Sequence, residues 1–113
     1  MIIKLKGETN MSKLVIKNNN EEILLNLTND KWVRAEFLKQ KVDGQFINQF
    51  NLEVFYNEDA SLKSLINENE LTIQMTTENG TIQLTNAEVS QYSIRLTRDG
   101  QKIIERIVFD GLM

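Results

Sequence analysis

The feature that most constrains this chain is strict two-residue alternation of apolar and polar side chains, punctuated by turn dipeptides. Leu71, Ile73 and Met75 alternate with Thr72, Gln74 and Thr76. That period places one set on a buried face and the other on an exposed face of a β-strand. Asp43-Gly44, Asn79-Gly80 and Asp99-Gly100 stand between such runs, where a tight hairpin needs residues that tolerate positive φ. No proline interrupts any of them.

The first half reads as strands joined by polar turns. A short strand is expected from Ile2 to Lys6, followed by turn formers and Met11, an in-frame alternative start. "KLVIK" and "EILLNLT" flank Asn18, Asn19 and Asn20 and read as a hairpin. In "KWVRAEFLKQKV", Val33, Ala35 and Phe37 share one face, while Arg34 and Glu36 share the other. After Asp43-Gly44, the residues Phe46, Phe50, Leu52, Val54 and Tyr56 form an apolar face. Gln49, Asn51 and Glu53 lie opposite and are expected to be wet.

A single helix is expected from about Asp59 to Asn67. Asn57 suits its N-cap, and Glu58 and Asp59 put negative charge at the positive end of its dipole. Leu62, Leu65 and Ile66 recur at helical spacing and should lie against the sheet.

Past Asn79-Gly80, the apolar phase slips twice. Ile82 and Leu84 are followed by Ala87 and Val89, then by Tyr92, Ile94 and Leu96. Such slips predict β-bulges that carry one strand from one sheet to another. The last strand is apolar on both sides: Ile103, Ile107 and Phe109 on one, Ile104 and Val108 on the other. It is expected to be central or covered by a partner. The fold class that follows is mainly β, a two-sheet β-sandwich or barrel of seven or eight strands with one short helix, in a single domain over residues 1–113.

The 113 residues include no histidine and no cysteine. Disulfides, Cys/His zinc sites and Ser-His-Asp or Cys-His catalytic sets are therefore excluded. No carboxylate spacing singles out an acid–base pair, and "NEDASLKSL" lacks the ligand rhythm of a calcium loop. The expectation is a non-enzyme with no catalytic residue, cofactor or metal. With 13 basic and 16 acidic residues mixed along the chain, no basic block offers itself to nucleic-acid phosphates. No run is long and apolar enough to predict a membrane span or a secretory signal. Tyr56 and Tyr92 follow the apolar phase and read as core. Trp32, on the mixed face with Arg34 and Glu36, is the better interface candidate.

The order of elements from Asn51 onward resembles the tail-tube protein family of bacteriophages, to which type VI secretion tube proteins are similar. The matching residues are Tyr56-Asn57 at the end of a hydrophobic strand, Leu62 and Leu65 in the helix, and Asn79-Gly80 in the hairpin. Val89 and Tyr92 in the penultimate strand and Phe109 to Gly111 in the last complete the set.

The resemblance implies a sandwich with a helix on its flank. It also implies a hexameric ring joined through sheet edges, and rings stacked into a tube through which DNA passes without specific binding. Trp32, Arg34, Ile104 and Val108 are then candidate interface residues. Gln49, Asn51, Glu53, Thr72 and Gln74 are candidates for the lumen. Partners would be further copies and other phage tail or head–tail proteins, with no membrane. The place would be the virion tail, assembled in the bacterial host cytoplasm. The chain is short for such a protein, and "LKQKVDGQFINQ" is the one candidate stacking loop, so capping the tube or joining it to the head is a related role. The alternative is a small phage-encoded binding protein that inhibits a host factor.

Overall fold

A computed structural model describes residues 12–113. The expected strand from Ile2 to Lys6 and the alternative start at Met11 lie outside these residues. Seven strands follow in chain order: β1 (Lys13–Lys17), β2 (Ile23–Thr28), β3 (Arg34–Val42), β4 (Gln45–Phe55), β5 (Leu71–Thr77), β6 (Gly80–Leu96) and β7 (Ile103–Leu112). All pairings are antiparallel, in the order β2-β1-β5-β6-β7-β4-β3.

The hairpins fall where the turn residues stand. Asp43 (φ 51°) and Gly44 (φ 81°) both take positive φ, the geometry a two-residue hairpin requires. At the triple asparagine, the Asn18 side chain accepts from the backbone N–H groups of Asn20 and Glu22, closing the turn between β1 and β2.

β6 decides the architecture. It is seventeen residues long and pairs with β5 through its first half and with β7 through its second. Its register slips between Thr85 and Glu88 and again between Val89 and Gln91, with Asn86 at φ 49°. Bulges bend and twist a strand, so β6 carries the ladder from one layer to the other. The two layers are consequently one continuous seven-stranded sheet, not two separate sheets, and it is not closed into a barrel.

The layers share one core. Leu14, Ile16, Leu71 and Ile73 come from β1 and β5; Phe50, Leu52, Ile107 and Phe109 come from β4 and β7. These strands are not all neighbours in the sheet, so their side chains meet only by packing across the layers. Phe50 stacks on Phe109 with ring centroids 6.3 Å apart, and Phe37 meets Phe50 at 4.6 Å.

The connection from β4 to β5 crosses from one layer to the other. There the structure replaces the expected α-helix with two 3-10 turns, Glu58–Ala60 and Leu62–Leu65. Asn57 is the cap expected of it, accepting from the Asp59 N–H. Ser61 then breaks the helix by taking an extended conformation (ψ 143°) and starts a second cap, accepting from the Lys63 N–H. Leu62 and Leu65 are buried in the core, whereas Ile66 is only half-buried. A helical segment thus sits between two strands because it plugs the end of the core as the chain changes layer.

Candidate assembly surface

The sheet formed by the described residues has two edges. Among the described residues, β2 is paired on one side only, to β1, and β3 on one side only, to β4. An unpaired strand side presents a row of backbone N–H and C=O groups that can receive another strand. β2 is preceded by exposed Glu21 and Glu22 and followed by exposed Asp30. The Thr28 hydroxyl donates to Asp30 and holds its carboxyl below the usual carboxylate range. β3 begins with exposed Arg34 and carries exposed Lys39 and Lys41 towards its tip.

Beside β2 lies an open cleft of about 510 Å³. Leu25 and Leu27 form one wall; Val54, Phe55, Tyr56 and Leu62 form the other, with Asp30 and Lys31 at one end. Lys102 lies over the exposed Phe55 ring, 4.6 Å from its centroid.

The outward face of the β3-β4-β7 layer is a polar network rather than a wet wall. Glu53, expected to be solvated, is only 7 % exposed. Arg95 pairs with it at 2.8 Å, Arg106 lies 3.9 Å away, and Arg34 stands opposite it across the ladder. Asn51 is 5 % exposed, and its Oδ1 has no hydrogen-bond partner among the described residues. Gln49 is half-buried and donates to Asp110 at 2.8 Å. Alternation assigned these three to one face correctly; arginines of β6 and β7 then close over Glu53.

Thr72 and Gln74 lie on the outward face of the other layer, where Val15, Lys17, Glu21 and Gln83 line a shallow hollow with them. The five candidate lumen residues are therefore split between opposite sides of the molecule and cannot all face one channel.

Two interface candidates are corrected. Ile104 and Val108 are 5 % and 4 % exposed on central β7, flanked by β6 and β4, and offer no free surface. Both-sided apolarity in β7 is thus satisfied within the chain. Trp32 precedes β3 and packs, half-buried, against the core. Arg34 is exposed and lies on β3, an edge strand among the described residues. Tyr92 is half-buried against the core, and Tyr56 is half-buried in the cleft wall. Val33 (42 %) and Phe46 (63 %), both on faces expected to be apolar, are exposed.

Glu105 is the residue that sequence reasoning passed over. It shares the core face of β7 with Ile107 and Phe109 and is completely buried. Its carboxylate accepts from the Ser61 hydroxyl, the Leu62 backbone N–H and the Tyr92 hydroxyl. The signal was a charged residue at an odd-numbered position between Ile103 and Ile107. Burial leaves this carboxylate no access to a substrate, and all three donors already point at it. Its chemistry is structural: it pins the second 3-10 turn to the sheet.

Among the described residues, no group of three or more acidic side chains converges as a metal site, and no helix is long and apolar enough to cross a membrane. No protein-family model matches this chain, and no curated protein matches it.

Proposed function

We propose that this chain is a non-enzymatic structural subunit that assembles into rings through its sheet edges, in the manner of a phage tail tube or of the proteins that cap or join one. The observation that carries this reading is the open seven-stranded sheet, which leaves β2 and β3 each with an unpaired side among the described residues. Joining such edges around a closed ring uses the free backbone groups without open-ended aggregation.

In such a ring one outward face turns to the channel. The β1-β5 face suits it better, because Thr72, Gln74 and Gln83 present neutral hydroxyl and amide groups in a shallow hollow. Lys17, which also lines that hollow, lies 3.6 Å from Glu21, so little net positive charge would hold DNA there. The face bearing Gln49, Asn51 and Glu53 is occupied by its own ion pairs.

Light scattering and negative-stain microscopy at high protein concentration, with and without tail partner proteins, test the reading. Rings with a central hole are expected, hexamers by the resemblance. A monomer under all these conditions ends the ring reading and leaves the small host-factor inhibitor in its place.

A further inference from the structure

We propose that the outward face of the β3-β4-β7 layer docks an acidic segment of another protein through Arg34, Arg95 and Arg106. This goes beyond the ring reading and does not depend on it.

The ladder gathers the three arginines. Arg34 on β3 and Arg106 on β7 stand opposite Glu53 of β4, one on either side of it. Arg95, on β6, donates to the Glu53 Oε1 at 2.8 Å. Directly opposed side chains share a face of the sheet, so arginines from three strands surround one carboxylate. The sequence shows no basic block because these strands are separate in the chain.

The charges there do not balance. Arg106 comes no nearer than 3.9 Å to the Glu53 Oε2, and Arg34 lies 3.7 Å from Glu36. Phe55 shares this face of β4 with Glu53, and Lys102, over its ring, adds a fourth cation. Among the described residues, the bond from Arg95 to Glu53 is the one side-chain hydrogen bond these three guanidiniums make. Each guanidinium carries five N–H donors in a fixed fork that matches a carboxylate. The Arg34 and Arg95 side chains are 58 % and 54 % exposed, so their unused donors are open to a partner. Guanidinium is weakly hydrated, and trading its water for a carboxylate costs it little.

The extent of the patch favours a short acidic segment over a nucleic acid. Four residues along β4, about 14 Å away, Gln49 stands opposite Asp110, which stands opposite Glu88. The face is thus positive at one end and negative at the other. A segment of a few carboxylates fits the positive end. A polyphosphate laid along the strands carries charge over its whole length and is repelled at Asp110 and Glu88.

Fluorescence anisotropy of a labelled hexaglutamate peptide with the full chain at low salt tests the proposal. Saturable binding is expected, weakening as salt is raised. Glu53→Gln keeps the side chain's shape and removes the competing carboxylate, so it should tighten binding. In that background Arg95→Gln and Arg106→Gln strand no buried charge, and each should weaken binding about fivefold. Arg34→Gln, at an exposed position, should do the same in the unaltered chain. Lys39→Gln with Lys41→Gln, on the other face of β3, should leave binding unchanged. Circular dichroism should find every variant folded. No saturable binding up to about 1 mM peptide would overturn the proposal, as would binding lost with the lysines and kept without the arginines. A DNA duplex that binds more tightly than the peptide, with the same dependence on the arginines, would also overturn it. Failure of the chain to form rings ends the ring reading and leaves this one standing.

Discussion

The Tyr92 hydroxyl donates to the carboxylate of Glu105, joining the penultimate strand to the last on the core side of the sheet. The same carboxylate holds Ser61 and the Leu62 N–H, so one buried acid ties β6, β7 and the β4–β5 crossing together. Removing an acceptor strands buried donors, which costs more than the bonds contributed. Glu105→Ala should therefore destabilise the fold by about 3 kcal/mol in urea unfolding. Combining it with Tyr92→Phe should cost less than the two losses summed, because the second change removes a donor already stranded.

Tyr92 gives the fold a dependence on alkaline pH. Its phenol is pushed up to about 12, first by burial and then by the hydrogen bond to Glu105. The unfolded phenol titrates near 10. Between these values the unfolded chain has lost a proton that the folded chain keeps, so stability falls as pH rises. The contribution is whole below pH 10 and is lost through about pH 12. Tyrosinate absorbance should show a late-titrating phenol that Tyr92→Phe abolishes, and the variant should lose the matching fall in stability.

Leu65 is 2 % exposed beneath the second 3-10 turn. A carboxylate there has no partner, and an unpaired charge in an apolar site costs several kcal/mol. Leu65→Asp should abolish cooperative thermal unfolding. A melting temperature unchanged from the parent would remove this turn from the core.

Gly111 lies where β7 passes the β6 bulge. A Cβ there would stand 2.7 Å from the Thr85 carbonyl oxygen and 3.2 Å from the Ala87 Cα, both backbone atoms. Backbone cannot swing aside as a side-chain tip can, so Gly111→Ala must spread the two strands. A loss of about 1–3 kcal/mol is expected in chemical denaturation. Gly44→Ala provides the contrast, since open space surrounds its Cβ position and only its positive φ opposes the change.

Alternation alone determined which residues of each strand share a face, because the side-chain period of an extended chain is local and fixed. Turn chemistry placed Asp43-Gly44 and Asn79-Gly80 at hairpins, and the slipping phase after Leu84 located the bulges of β6. Only the tertiary structure decided how solvated those faces are. Gln49, Asn51 and Glu53 read as wet because their own strand is polar there; arginines from β6 and β7, distant in sequence, close over Glu53. The expected helix is present as two short 3-10 turns for a similar reason. Its local capping and spacing were favourable, but Ser61 leaves the helical conformation, and its hydroxyl reaches Glu105, a residue 44 positions away. Strand order is likewise non-local: β1 lies beside β5, and β4 beside β7. A strand's own residues fix its two faces, whereas its neighbours are chosen by the packing of the whole core.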